Sequence, residues 1–128
     1  MTFNKLRHYR TLLIDDDEFV RDSIRLMFEA RNCPLSTVQS AEEAIEVLRG
    51  QDYDIVITDY KLPGMDGMEL CRRLCKTHPH LRKILITAYG SPALAGAARS
   101  IGIHELIEKP ITSEALVASL SRLFTRAG

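Results

Sequence analysis

The chain has 128 residues, enough to bury one sizeable core and short for two. With 45% hydrophobic and 27% charged residues, seven Gly and five Pro, it is neither disordered, collagenous nor of low complexity. Seventeen basic and seventeen acidic side chains give a formal charge of zero, without the positive field that non-specific nucleic-acid binding needs, and no apolar run approaches the roughly 20 residues of a membrane span. The basic start, residues 1–10, has no apolar stretch behind it and does not read as a secretory signal. Cys33, Cys71 and Cys75 are an odd, sparse set that argues against a disulfide framework and for a reducing cytoplasm.

Apolar runs and helical patterns alternate along the chain. Residues 11–14 form a short apolar run that ends in Asp15, Asp16 and Asp17. Over residues 18–30, Val20, Ile24, Met27 and Phe28 make the stripe of an amphipathic helix, with Asp17 as its N-cap. Residues 34–39 read as a weaker strand. Ser40 and Glu43 then form a capping box for a helix carrying Ala41, Ala44, Ile45 and Leu48, stopped at Gly50. The β-branched run 55–58 does not alternate, as expected of a strand covered on both faces. A turn-rich segment, residues 61–67, leads to an Asp66-capped helix with Leu70 and Leu74 inward. Residues 84–86 form another buried strand. Ser91 and Pro92 open a helix rich in small residues, 106–107 is a short strand, and Thr112 or Ser113 caps a last helix with Leu116, Leu120, Leu123 and Phe124 inward. Five strands alternating with five helices predict an α/β domain with a parallel sheet covered on both faces.

Each strand is followed at once by a specific polar residue: Asp15–Asp17, Asp59, Thr87 and Lys109. In an open parallel sheet the carboxyl ends of the strands share one edge, where ligands bind, so this spacing gathers carboxylates, a hydroxyl and an ammonium into one crevice. Crowded carboxylates call for a cation, and a hard oxygen site with positions left to water suits Mg²⁺. Metal, ammonium and hydroxyl together fit the oxygens of a phosphoryl group, and a carboxylate can serve as its nucleophile. Taken singly, each residue has a plainer role as a cap, a turn or a satisfied hydroxyl; their coincidence at separate strand ends carries the chemistry.

In these residues the chain resembles the receiver domain of two-component response regulators. The resemblance lies in 12–16 (Leu-Leu-Ile-Asp-Asp), in Ile57-Thr58-Asp59 with the Leu62-Pro63-Gly64-Met65-Asp66-Gly67 that follows, in Ile86-Thr87-Ala88 and in Lys109-Pro110. It implies a flavodoxin-like fold of strand order 2-1-3-4-5 over residues 10–126, after an N-terminal extension of residues 1–9. Asp59 resembles the phosphoacceptor. Asp16 resembles the direct ligand of Mg²⁺ (or Mn²⁺), with Asp15 holding metal-bound water, Asp59 itself in the shell, and the backbone carbonyl of Lys61 completing it. Thr87 resembles the switch hydroxyl and Lys109 the lysine that pairs with Asp59 and then with the phosphoryl group, before a cis proline bond. The domain is expected to promote only its own phosphorylation and dephosphorylation, to take its phosphoryl group from a histidine kinase or histidine phosphotransfer protein, and to signal to an effector protein or domain through the fourth helix, fifth strand and fifth helix. Direct nucleic-acid or membrane contact is not expected. The chain is either a stand-alone regulator or a receiver taken from a longer protein.

One departure is Leu106, where the family commonly carries Tyr or Phe; it predicts weaker coupling between phosphorylation and the output face. Three other readings compete. A haloacid-dehalogenase-type phosphatase would use Asp15-x-Asp17 but leaves Asp59 without a role, and a receiver-like scaffold would act without phosphorylation. A soft-metal site over Cys71, Cys75, His78 and His80 is less favoured than thiols packed beside a core. A flavodoxin proper is excluded, because Asp15–Asp17 would repel a flavin phosphate.

Overall fold

A computed structural model describes residues 2–125. Along the chain it has α1 (Thr2–Leu6), β1 (Thr11–Ile14), α2 (Glu18–Glu29), β2 (Ser36–Val38), α3 (Ala41–Gly50), β3 (Ile55–Asp59), α4 (Gly67–Thr77), β4 (Arg82–Thr87), α5 (Pro92–Ser100), β5 (Glu105–Glu108) and α6 (Ser113–Thr125). All strands pair in parallel, in the order β2-β1-β3-β4-β5. β1, β3 and β4 are buried almost throughout, which matches their unbroken apolar runs.

Successive strand residues point to opposite faces and so feed separate cores. Leu13, Ile55, Ile57, Ile84, Ile86 and Ile107 pack with Ile24 and Phe28 of α2 and Leu116, Leu120 and Leu123 of α6. On the other face Leu12, Ile14 and Val56 meet α3 and α4, while Leu85 meets Cys71 of α4, Ala98 of α5 and Ile103. The expected caps form. Asp17 accepts from the Phe19 amide, Ser40 from Glu43, Asp66 from Glu69 and Ser91 from Leu94. Between the two candidates for the last helix, Thr112 is the cap, since its hydroxyl accepts the Ala115 amide at 3.0 Å.

Among the described residues the helices number six, one more than the alternation predicts. The additional one, α1, has five residues, too few to show a period in sequence. Tertiary packing holds it. Leu6 is fully buried in the α2–α6 core, the Tyr9 ring stacks on Phe124 with centroids 5.1 Å apart, and Arg7 Nε donates to the Arg31 carbonyl. The segment ahead of β1 is thus part of the packed body. Leu6→Ala is expected to cost about 2–4 kcal/mol of stability, the usual range for emptying a buried leucine site. Denaturant unfolding would measure this, and a loss below about 0.5 kcal/mol, typical of exposed positions, would contradict the packing of α1.

Candidate functional site

The sheet order puts a switch point between β1 and β3: the chain leaves β1 toward β2 on one side and β3 toward β4 on the other, opening a crevice at their carboxyl ends. Register sets the depth of the residues there. Ile14 pairs with Thr58, which brings Asp15 level with Asp59. Thr87 pairs with Glu108, so Lys109 lies one step beyond the strand edge. Carboxylate oxygens of Asp15, Asp16 and Asp59 come within 4.8 Å of one another. Lys109 Nζ lies 3.3 Å from Asp59 Oδ1 and 3.8 Å from Asp15 Oδ2, and the Lys109–Pro110 bond is cis. Asp15 and Asp59 are buried while Asp16 is exposed.

This pocket is electrostatically incomplete. Burial pushes the Asp15 carboxyl up to about 6, and neighbouring Asp59 adds to the rise against the amide of Asp17 and the ammonium of Lys109. Asp59 is raised too, chiefly by burial, with Lys109 opposing. Asp15 Oδ1 accepts the Asp17 amide at 2.8 Å, but buried Oδ2 has no hydrogen-bond donor among the described residues. An orphaned buried oxygen amid three converging carboxylates fits a hard divalent cation. Among the described residues this is the one group of three or more potential ligands that could hold a metal.

The other singled-out residues have separate roles. Thr87 Oγ1 accepts the Tyr89 amide at 3.2 Å at the far rim. Lys61 is exposed, its ammonium 5.2 Å from the Tyr60 ring centroid. The cysteines of α4 and the histidines that follow it do not converge on one point. Cys71 is buried against Leu85 and Ala98 and its thiol is pushed up to about 12, Cys75 Sγ donates to the Ile101 carbonyl, and the His78 ring lies between Thr77 Oγ1 and the Leu48 carbonyl. Asp17 caps α2, its Oδ1 accepting the Phe19 amide. Leu106 is half-buried against the Cys71, Leu85, Ala98 and Ile103 cluster.

Two supporting residues escape a reading of the sequence. Arg21 Nη1 donates to the Asp15 carbonyl at 2.7 Å and braces the acidic loop one turn into α2. Gly67, taken as part of a turn, presses on β3: a Cβ there would overlap the Asp59 carbonyl oxygen. The first residue of α4 must be glycine for the helix to pack against the end of the strand that carries Asp59.

The sequence profile of the response regulator receiver domain matches residues 11–121. The chain belongs to that family. As a receiver it is 35% identical over 114 residues to the C4-dicarboxylate transport transcriptional regulatory protein DctD of Pseudomonas aeruginosa, covering 88% of this chain and 24% of that protein. It is 31% identical over 117 residues to the response regulator MprA of Mycolicibacterium vanbaalenii, covering 91% and 51% of the two chains. A receiver domain structure from Clostridium thermocellum superposes with a TM-score of 0.80 at 29% identity, covering 88% of this chain and 91% of that one. The chain thus spans about a quarter of the DctD regulator and about half of MprA. It is a receiver domain of the two-component type, a signalling domain. No helix among the described residues is long and apolar enough to cross a membrane.

The strain in the pocket has a measurable sign. An Asp whose folded value, about 6, lies above its ordinary 3.8 holds its proton more firmly folded than unfolded. Stability is therefore lost as pH rises from about 4 through 6, and the full penalty remains at neutral pH. In metal-free protein at pH 7, Asp15→Asn is expected to stabilise by about 1–2 kcal/mol and to flatten that part of the pH profile. Calorimetric melting in a chelator checks this; an unchanged or lowered midpoint would refute it.

Proposed function

We propose that this receiver accepts a phosphoryl group on Asp59 from a phosphohistidine of a histidine kinase or histidine phosphotransfer protein, and signals by reshaping its α5–β5–α6 face. The observation that carries the reading is the meeting of Asp15, Asp16 and Asp59 within 4.8 Å under the ammonium of Lys109, 3.3 Å from Asp59. Asp15, Asp16, Asp59 and the backbone carbonyl of Lys61 would hold Mg²⁺ or Mn²⁺. The cation would neutralise the carboxylates and the incoming phosphoryl oxygens.

Within this reading Asp59 is the nucleophile: one Oδ bonds to phosphorus as the bond from phosphorus to the donor's imidazole nitrogen breaks. Lys109 counters the rise that burial imposes on Asp59 and is placed to follow the negative charge onto the phosphoryl oxygens. The same pocket would allow small-molecule phosphodonors to serve, so the domain promotes its own phosphorylation. The donor protein has a docking place beside the pocket. Exposed Phe19 and Tyr89, 86% and 87% accessible, flank an apolar cleft of about 470 Å³ lined by Val20, Ile24, Ala88 and Ile111 and bounded by Lys109. No disulfide joins Cys33, Cys71 and Cys75 among the described residues, in keeping with the reducing cytoplasm we assign to the protein.

Phosphorylation adds nearly two charges and three acceptor oxygens. The Thr87 hydroxyl, now accepting from the Tyr89 amide, would exchange that partner for a phosphoryl oxygen and draw the loop before α5 with it. α5 is poorly anchored, with Ala98 its one buried residue, so little packing resists its displacement. Leu106 offers neither a hydroxyl nor an aromatic face to follow Thr87 inward, and the response of β5 is correspondingly muted. Leu106→Tyr should enlarge the amide-shift change over α5 and β5 on phosphorylation, and an unaltered response would remove Leu106 from the switch.

Intact-mass measurement after incubation with acetyl phosphate and Mg²⁺ tests the function. One phosphoryl adduct is expected in the wild type, and none with Asp59→Asn or excess chelator. An adduct that persists in Asp59→Asn would overturn the assignment.

A further inference from the structure

Both walls of the acidic pocket, the loop after β1 and the loop after β3, are fastened to one corner of the fold, the turn from β2 into α3. The Val38 carbonyl accepts the Asp15 amide at 3.2 Å and fixes the first wall. Glu42, in the first turn of α3, reaches the second: its Oε2 accepts the Met65 amide at 3.1 Å. The loop of residues 60–66 carries Lys61. At its ends the Tyr60 amide donates to the Ile86 carbonyl and the Gly67 amide to the Tyr60 carbonyl, both at 2.8 Å. In the middle, Leu62 is buried beside α3 and α4, and Gly64 turns the chain at a φ of +77°. That turn brings Gly64 so close to α3 that a Cβ on it would stand 2.9 Å from Glu42 Oε2. The Met65 amide, more than any other contact, holds the Glu42 carboxyl below its ordinary range.

We propose that Glu42 is a positioning residue for the divalent-cation site, acting through the Met65 amide to hold the loop that carries the Lys61 carbonyl. This rests on the receiver reading of the pocket. A backbone carbonyl has no charge to recruit a cation, and its usefulness depends on the fraction of time the loop spends in the competent conformation; apparent affinity falls by that fraction. Asp15, Asp16 and Asp59 are fixed by their strands or by the turn after β1, so the loop after β3 is the wall whose order needs a tether from outside. Glu42 supplies it from α3, which packs on the opposite side of the sheet from α2 and α6.

The test is Mg²⁺ affinity of the unphosphorylated full chain, by isothermal titration calorimetry, for the wild type, Glu42→Ala, Glu42→Gln and Asp16→Asn. Glu42→Ala is expected to weaken Mg²⁺ binding about fivefold, the effect of one typical hydrogen bond on the competent fraction. Glu42→Gln keeps an acceptor oxygen for Met65 and should stay within about twofold of the wild type, less than the loss of that hydrogen bond. An unchanged affinity in Glu42→Ala, even with a lowered melting point, would reduce Glu42 to a structural residue and overturn the proposal. Equal weakening in both Glu42 variants would overturn it as well, because the negative charge and not the hydrogen bond would then be acting. Wild-type binding that ignores Asp16→Asn would instead show that the pocket is not the cation site, and the receiver reading of these residues would fail before Glu42 came into question.

Discussion

The repulsion among Asp15, Asp16 and Asp59 is the constraint around which the domain is built. Three carboxylates within 4.8 Å, two of them buried, would not assemble spontaneously in a flexible chain. They are brought together because β1 and β3 are adjacent, in register and buried on both faces, so the apolar packing of their side chains overrides the local electrostatic cost. Lys109 returns part of that cost from β5's end of the sheet, at 3.3 Å and 3.8 Å from two of the carboxylates. What remains uncompensated, most visibly Asp15 Oδ2, is what the cation proposed for this pocket would neutralise.

Order and looseness are distributed to suit that task. The acidic residues stand on the most deeply buried strands, and their loops are tied down by Arg21, the Val38 carbonyl, Gly67 against β3 and Glu42. The opposite rim is lightly held. Among the described residues the Thr87 hydroxyl bonds only to the backbone of its own loop, and α5 keeps a single buried alanine. In the proposed switch a charge introduced at Asp59 would meet a firmly held wall on one side and a lightly held one on the other. A local event would reach a surface in this way because a weakly packed element yields before the strands do. In the proposed switch Leu106 would modify the last step, because it packs in an apolar cluster with Cys71 and Ala98 and joins part of that rim to a core.

Much of this was legible in the sequence because it follows from short-range patterns and topology. Asp15, Asp16, Asp59, Thr87 and Lys109 each end an apolar run, and a parallel sheet places such positions along one edge whatever the distances between them in the chain. The caps Asp17, Ser40, Asp66 and Ser91 are read from residue type next to a helical period. Helix α1 was not legible, since five residues show no period and Leu6 is an isolated apolar residue until Leu123 and Phe28 surround it. Nor were Arg21, Gly67 and Glu42. An arginine six residues after Asp15, a glycine in a turn and a glutamate in a first helical turn all have ordinary local explanations. Their function lies in backbone groups they touch across the fold, which leave no signature in residue type. For Cys71 and Cys75, along one helix, the sequence favours thiols packed beside a core over a soft-metal site, and the packing sends one thiol into a core and the other to a carbonyl.

The most direct test of the central claim, that this pocket is built to neutralise a tetrahedral anion on Asp59, is a crystal structure of the protein grown with Mg²⁺ and beryllofluoride, a stable mimic of the phosphoryl group. We expect the beryllium on an Asp59 oxygen, a metal bounded by Asp15 and Asp16, and fluorine atoms contacted by Lys109 and Thr87. Density for the mimic on any other carboxylate, or an Asp59 left unmodified with Lys109 still paired to it under saturating conditions, would contradict it.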